Sequence, residues 1–453
     1  MTGNLKSYES ATTKQGKFFG NPGVSPERAF AVVVILSIVV RLVALLLGAH
    51  QPLVSDSTDY KHMAELLASG TRFLPYWPPG LPLYLAPFLA AGDAVLRTWM
   101  LMWWVLFCWG LWRLSVAVGV KRIAWLVLLI FAIAPAEIHF SIEPMTQMPA
   151  AALLLLAMSA VVRCAQGAGR GEYLMLGGSL GVLALVRPSV LPLLVVLPAL
   201  VVIRRKSLLG PVAAVALGCA LVFGWMVRAH QLSGAWVVNT SNGVNLYYGN
   251  NPWTPMYRTW YFGSHAKPGS EEILEFPEYA ATLDRVSALP AVKRSAEYQQ
   301  LAVSYVEHNP GAFVLRTLNR VRCFWGFDTF TAANLRSVPG WMHRLFAPVL
   351  TLDALCFLAI AGFAVYWIAC APWSFWHEWD TWLLGGTIFL YSLPYWVTMS
   401  HPTYHFPVMA PLALLGVKAR EASTGTEPRW PGWVGLAALV LIQVEWVYYL
   451  AKG

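Results

Sequence analysis

Two carboxylates stand where the chain leaves long apolar runs. Asp56 lies in Ser55-Asp56-Ser57-Thr58-Asp59-Tyr60, and Glu143 in Phe140-Ser141-Ile142-Glu143-Pro144-Met145. Acidic groups at a membrane margin are costly and commonly functional. The chemistry open to them is to take a proton from a hydroxyl or to orient it. If a helix begins at Ser55, that serine can cap it, and Asp56, Asp59 and Tyr60 share one face at i, i+3 and i+4. Negative charge is favoured at any helix N-terminus, and that reading suffices for Asp59. For Asp56 the two readings balance. Glu143 precedes a proline suited to a first helical position, in a loop too short to carry the carboxylate far into water. Glu137 is a weaker case of the same kind.

Two arginines complement these acids. Arg187, in Leu185-Val186-Arg187-Pro188, falls in a tight turn between apolar runs, and Arg228 closes Gly224-Trp225-Met226-Val227-Arg228. Guanidinium offers paired donors and a permanent charge, which suits phosphate; snorkelling to lipid headgroups explains either one equally well. His401 and His405 flank Tyr404 at metal-ligand spacing, but Pro402 intervenes and no third ligand is near, so a metal is not expected. Cys108, Cys164, Cys219, Cys356 and Cys370 lie in or beside apolar stretches, only Cys323 lies in the long polar segment, and no CxxC pair exists.

The elements that position these groups follow from composition. Charged residues are 12% and hydrophobic residues 57% of the 453, against about 25% charged in a soluble domain, which excludes both a cytosolic enzyme and a disordered chain. A span needs about 20 apolar residues. Runs near 28–48, 95–117, 123–136, 145–163, 172–187, 188–203, 207–227, 344–370, 381–399, 404–417 and 432–450 predict an all-α polytopic membrane protein with about eleven spans. The first run follows a polar leader and lacks a cleavage site, so no cleavable signal peptide is expected.

Cations in short loops set orientation. Lys6, Lys14 and Lys17 place the N-terminus in the cytoplasm, and alternation puts Lys121/Arg122, Arg163/Arg170, Arg204/Arg205/Lys206 and Lys418/Arg420 on that side. The net charge of +9 is thus mostly topogenic, and nucleic acid drops out as a partner. Three parts follow: an N-terminal transmembrane module over 1–227, with a first external loop at 49–94 carrying Asp56; an external segment over 228–343; and C-terminal helices over 344–453. Tyr298, Leu301, Ala302 and Tyr305 predict an amphipathic helix broken by Asn309-Pro310-Gly311. Arg316, Arg320 and Arg322, with Phe313, Leu315, Leu318 and Phe324, predict a second helix lying at the membrane interface. The remainder of that segment reads as mixed or irregular.

Several of these stretches together resemble the GT-C glycosyltransferases, in particular the bacterial branch of protein O-mannosyltransferase-like and aminoarabinose-transferase-like enzymes that use polyprenyl-phosphate sugars. The first loop, Asp56-x3-Tyr60-x3-Ala64-x2-Leu67-x2-Gly70 and then Trp77-Pro78-Pro79-Gly80-Leu81-Pro82-Leu83, looks like that family's opening. Trp225-x2-Arg228 followed by Thr240 to Pro252, with Tyr247-Tyr248-Gly249-Asn250-Asn251-Pro252, is similar to its entry motif. His308-Asn309-Pro310-Gly311, Phe324-Trp325 and Tyr404-x2-Pro407-x3-Pro411 also match. The branch often has Asp-Glu where Asp56-Ser57 stands here, and Arg where Thr403 stands.

The resemblance implies an inverting transfer of a sugar from a polyprenyl-phosphate donor to an envelope glycan, lipid or protein, at the periplasmic face of a bacterial inner membrane. A lipid phosphate is a stable leaving anion, so the tasks left are to orient the acceptor, take its proton and hold phosphate charge. Asp56 is the expected base, with Glu143 assisting or positioning it. Arg187 and Arg228 are the expected phosphate ligands. The matched motifs add Tyr60, Asn250, Tyr404 and His405 as substrate-binding residues. No cofactor is required, and no divalent ion is indicated. The rivals are a flippase for lipid-linked sugars, using the acids as a proton relay, and an O-antigen polymerase or ligase.

Overall fold

The computed structural model describes residues 25–48, 51–257, 276–337 and 341–452. Among them the regular structure is entirely helical. Helix α1 (Pro26–Gly48) is followed by α2 (Asp56–Ser69) and the short α3 (Gly80–Leu85), then by α4 (Asp93–Ala117), α5 (Ala124–Ile133), α6 (Pro135–Ile142), α7 (Gln147–Ala165), α8 (Arg170–Val186), α9 (Leu193–Arg205) and α10 (Leu209–Ser233). Residues 228–343 contribute α11 (Ser241–Gly249), α12 (Pro277–Ser287), α13 (Ala291–His308), α14 (Pro310–Phe324) and α15 (Phe330–Ser337). The chain closes with α16 (Phe346–Ala369), α17 (Trp379–Val397), α18 (Met409–Ala422) and α19 (Trp430–Lys452).

Seven helices are long and apolar enough to cross a membrane, or eight if α5 and α6 count as one bent span. This corrects the expected count of about eleven. Helix α8 stops after 17 residues at Arg187. Helix α17 spends its length on Asp380, three tryptophans and two tyrosines. Pro402 and Pro407 hold residues 402–408 in a 3-10 turn, which delays α18 to Met409 and leaves it 14 residues. The run at 123–136 bends by 76° between Ile133 and Pro135, because a residue preceding proline is pushed out of helical geometry.

Helix α7 is the axle of the bundle, buried at every position from Gln147 to Val162. Small residues let its neighbours close on one another. Gly177 and Gly181 of α8 meet Ala214 and Gly218 of α10 backbone to backbone, and Gly416 of α18 packs on Ala364 of α16. Such small-xxx-small seams are how apolar helices associate where lipid offers no hydrophobic gain.

The bundle has two chemically distinct ends. One gathers the basic clusters with their acids: Lys121 pairs with Glu27 at 3.3 Å, Arg113 and Arg163 clasp Glu172 at 2.6 and 2.7 Å, and Lys418 pairs with Glu378 and Asp380. The opposite end carries α2, α3 and helices α11 to α14. There α11, α12 and α13 form a small core of their own around Val244, Tyr247, Tyr279, Leu283 and Tyr298. A helix does form over this stretch, α14, with Val314, Leu315 and Leu318 exposed. Its arginines turn inward instead of toward a surface. Arg316 donates to the Asn251 and Thr254 carbonyls (2.8 and 2.5 Å), and Arg320 to those of Gly249 and Trp396 (2.7 and 2.6 Å).

Candidate functional site

A cavity of about 250 Å³ opens where α11 sits on the bundle. Its walls come from distant parts of the chain. Helix α2 supplies Asp56 and Tyr60, and the start of α7 supplies Gln147. The α8–α9 turn supplies Arg187 and Ser189, the first turns of α11 supply Ser241, Asn242 and Asn245, and the far end of α17 supplies Tyr395 and Thr398; Tyr404 closes the ring.

Asp56 is the first residue of α2, half-buried, with Ser55 Oγ 3.5 Å from Oδ1. Ser55 does not cap the helix, contrary to expectation, because its backbone lies at φ 51°, ψ −133° and makes no side-chain cap. A non-glycine residue in that region costs about 1–3 kcal/mol and persists only where its surroundings over-determine it. Here they do. Glu143 Oε1 accepts from the Val54 amide (3.1 Å) and the Ser57 hydroxyl (2.7 Å), gripping the chain on either side of Ser55-Asp56.

Glu143 itself is buried and does not line the cavity. Its other oxygen accepts from Arg97 Nε at 3.0 Å, and the remaining Arg97 donors bind the Gly48, Gln51 and Pro52 carbonyls at 3.1, 2.6 and 2.9 Å. Arg97 was not singled out by sequence reasoning. The signal was a cation early in the apolar run at 95–117, which demands a buried partner.

Arg187 is buried, and Nη1 donates to the Tyr395 hydroxyl at 2.8 Å. Its guanidinium lies 5.9 Å from the Tyr395 ring and 5.7 Å from the Tyr404 ring, and these rings stack 4.7 Å apart. Nε is buried without a partner. Buried donors are almost always satisfied, so this one, on a side chain lining a polar cavity, is suited to an anion. Tyr60 packs against Trp77 at 5.5 Å. Burial pushes its phenol above the ordinary range, with Asp56 adding to the rise and Arg187 opposing it, so this neutral hydroxyl feels both charges of the cavity.

The other expected site residues lie elsewhere. Arg228 is exposed on α10, 3.5 Å from Gln231 Oε1, and does not line the cavity. Asn250 is fully buried as a strut: Nδ2 donates to the Leu246 and Val397 carbonyls (3.0 and 2.9 Å), and Oδ1 accepts from Arg320 (3.2 Å). His405 Nδ1 donates to the Phe324 carbonyl at 2.7 Å. His405 lines a separate cavity of about 40 Å³ with Glu137, Asp328 and Asp353. Among the described residues, no group of three or more His, Cys, Asp or Glu side chains is arranged to hold a metal ion.

Helix lengths, apolar composition and architecture define an all-α, multi-span membrane protein. Neither a protein-family model nor a curated protein matches the chain.

Proposed function

We propose that the protein is an integral membrane glycosyltransferase of the GT-C kind its motifs resemble, moving a sugar from a polyprenyl phosphate to an acceptor hydroxyl. The observation that carries this reading is one cavity holding a carboxylate, Asp56, together with an arginine whose buried Nε has no partner. In this reading the acceptor oxygen attacks the anomeric carbon and its proton passes to Asp56. The bond from that carbon to the phosphate oxygen breaks with inversion, and the electron pair leaves on the phosphate, whose charge Arg187 holds. Both tasks are electrostatic and positional, and no cofactor enters.

Glu143 serves as a positioning residue, acting through Val54 and Ser57 on Asp56. The basic clusters at the far end of the bundle support a cytoplasmic N-terminus and a cavity on the opposite, periplasmic side of a bacterial inner membrane. The deciding experiment incubates purified protein in detergent with a polyprenyl phosphate bearing a labelled sugar and an envelope extract as acceptor. Label transferred to extract lipid, glycan or protein, and lost without enzyme, supports the reading. Lipid movement across vesicles with no transfer would replace it with a flippase.

A further inference from the structure

We propose that Gln147 selects a neutral, hydroxyl-rich sugar at the cavity by accepting a hydrogen bond from one of its hydroxyls; this rests on the glycosyltransferase reading. Gln147 is the first residue of α7, where the axle helix holds its backbone rigidly, and the residue is only 4% exposed. Its Oε1 is buried without a partner, and the residue lines the same cavity as Asp56 and Arg187. An orphaned acceptor in that position is one a ligand's donor would satisfy.

The charge inventory of the walls narrows the ligand. Among the described lining residues, Asp56 is the one carboxylate and Arg187 the one cationic side chain. Proton transfer occupies the first and phosphate the second. No charge is left to neutralise an ammonium or a carboxylate on the sugar, and burying such a group unpaired is costly. What remains is amide and hydroxyl, Gln147, Asn242, Asn245 and Ser241 among them, on a wall that also carries Trp77 and Tyr404. That set suits an uncharged pyranose and disfavours an amino sugar.

The test measures binding to the full-length protein in detergent with three probes: a short-chain polyprenyl phosphate, the same lipid bearing a neutral hexose, and the same lipid bearing an amino pentose. The wild type is expected to bind the hexose lipid best. Gln147→Met, close in shape, should weaken the hexose lipid about 10- to 100-fold and leave the bare phosphate lipid unchanged. Gln147→Glu should shift preference toward the amino sugar. Thermal melts of both variants guard against misfolding. Wild-type affinity of Gln147→Met for the hexose lipid, or equal wild-type affinity for both sugars, overturns the inference while leaving the enzyme reading intact. Failure of all three lipids to bind overturns both.

Discussion

Arg97 and Glu143 form a buried ion pair, Nε to Oε2 at 3.0 Å, which stands behind the cavity wall rather than in it. Truncating one partner of such a pair leaves an uncompensated buried charge, at a cost of about 3–5 kcal/mol. Arg97→Ala should therefore lower the melting temperature markedly and reduce turnover, since the Gly48, Gln51 and Pro52 carbonyls lose their anchor. Glu143→Gln leaves the buried Arg97 charge unpaired as well, so it should also melt below wild type, while losing less activity than any change at Asp56. An Arg97→Ala protein that melts like wild type would show that the pair holds nothing.

Asp56→Asn keeps size and hydrogen bonding but cannot take a proton. Transfer should fall about 10²- to 10⁴-fold, with donor binding and the melt unchanged. Wild-type turnover by the purified variant would remove Asp56 from the chemistry.

The two arginines, indistinguishable by residue type, should separate by experiment. Arg187→Ala removes the cationic side chain of the cavity wall and should raise the apparent donor KM and slow transfer. Arg228→Ala, on an exposed helix face, should leave both near wild type. The opposite ranking would move the phosphate site to the start of the external segment.

Asp328 supplies a pH signature. Burial raises its carboxyl from an ordinary 3.8 to about 6, against the opposing hydrogen bonds from the Phe330 amide and Thr403. The folded state thus holds this proton more tightly than the unfolded chain does. Its contribution to stability is full below about pH 4 and is lost as pH rises through about 6. Asp328→Asn should flatten the fall in melting temperature across that window. An unchanged slope would assign it to other groups.

A cysteine introduced at Gln299, exposed on α13, should react with a membrane-impermeant maleimide in intact spheroplasts. Reaction only after the inner membrane is opened would reverse the orientation drawn from the basic clusters.

Much of this arrangement was readable from residue types. Apolar runs announce a bundle because lipid tolerates little else. Asp56, Tyr60, Arg187 and Tyr404 do meet in one cavity, although almost 350 positions separate the first from the last. What could not be read is anything set by three-dimensional partnership. Glu143 and Asp56 are both acids at span margins, and only packing turns one toward Arg97 and the other toward the cavity. Arg316 and Arg320 have the spacing of an interfacial helix, yet the carbonyls at 249–254 draw them inward. Ser55 has the type of a cap but not the backbone for one. Run lengths overstate span number because they ignore where Arg187 and the Pro402–Pro407 turn end or delay a helix.

Gly249 ends α11 where a β-carbon would collide with the Thr398 carbonyl, so at that point α11 and the tip of α17 meet backbone to backbone. This bears on when the protein becomes competent during its own synthesis. Asn250 and Arg320 have no Val397 or Trp396 carbonyl to bind until α17 is in place, and the ring around the cavity closes only with Tyr404. A nascent chain that has already inserted its first seven apolar runs therefore still lacks a complete cavity. In the glycosyltransferase reading, activity therefore waits until synthesis has passed Tyr404.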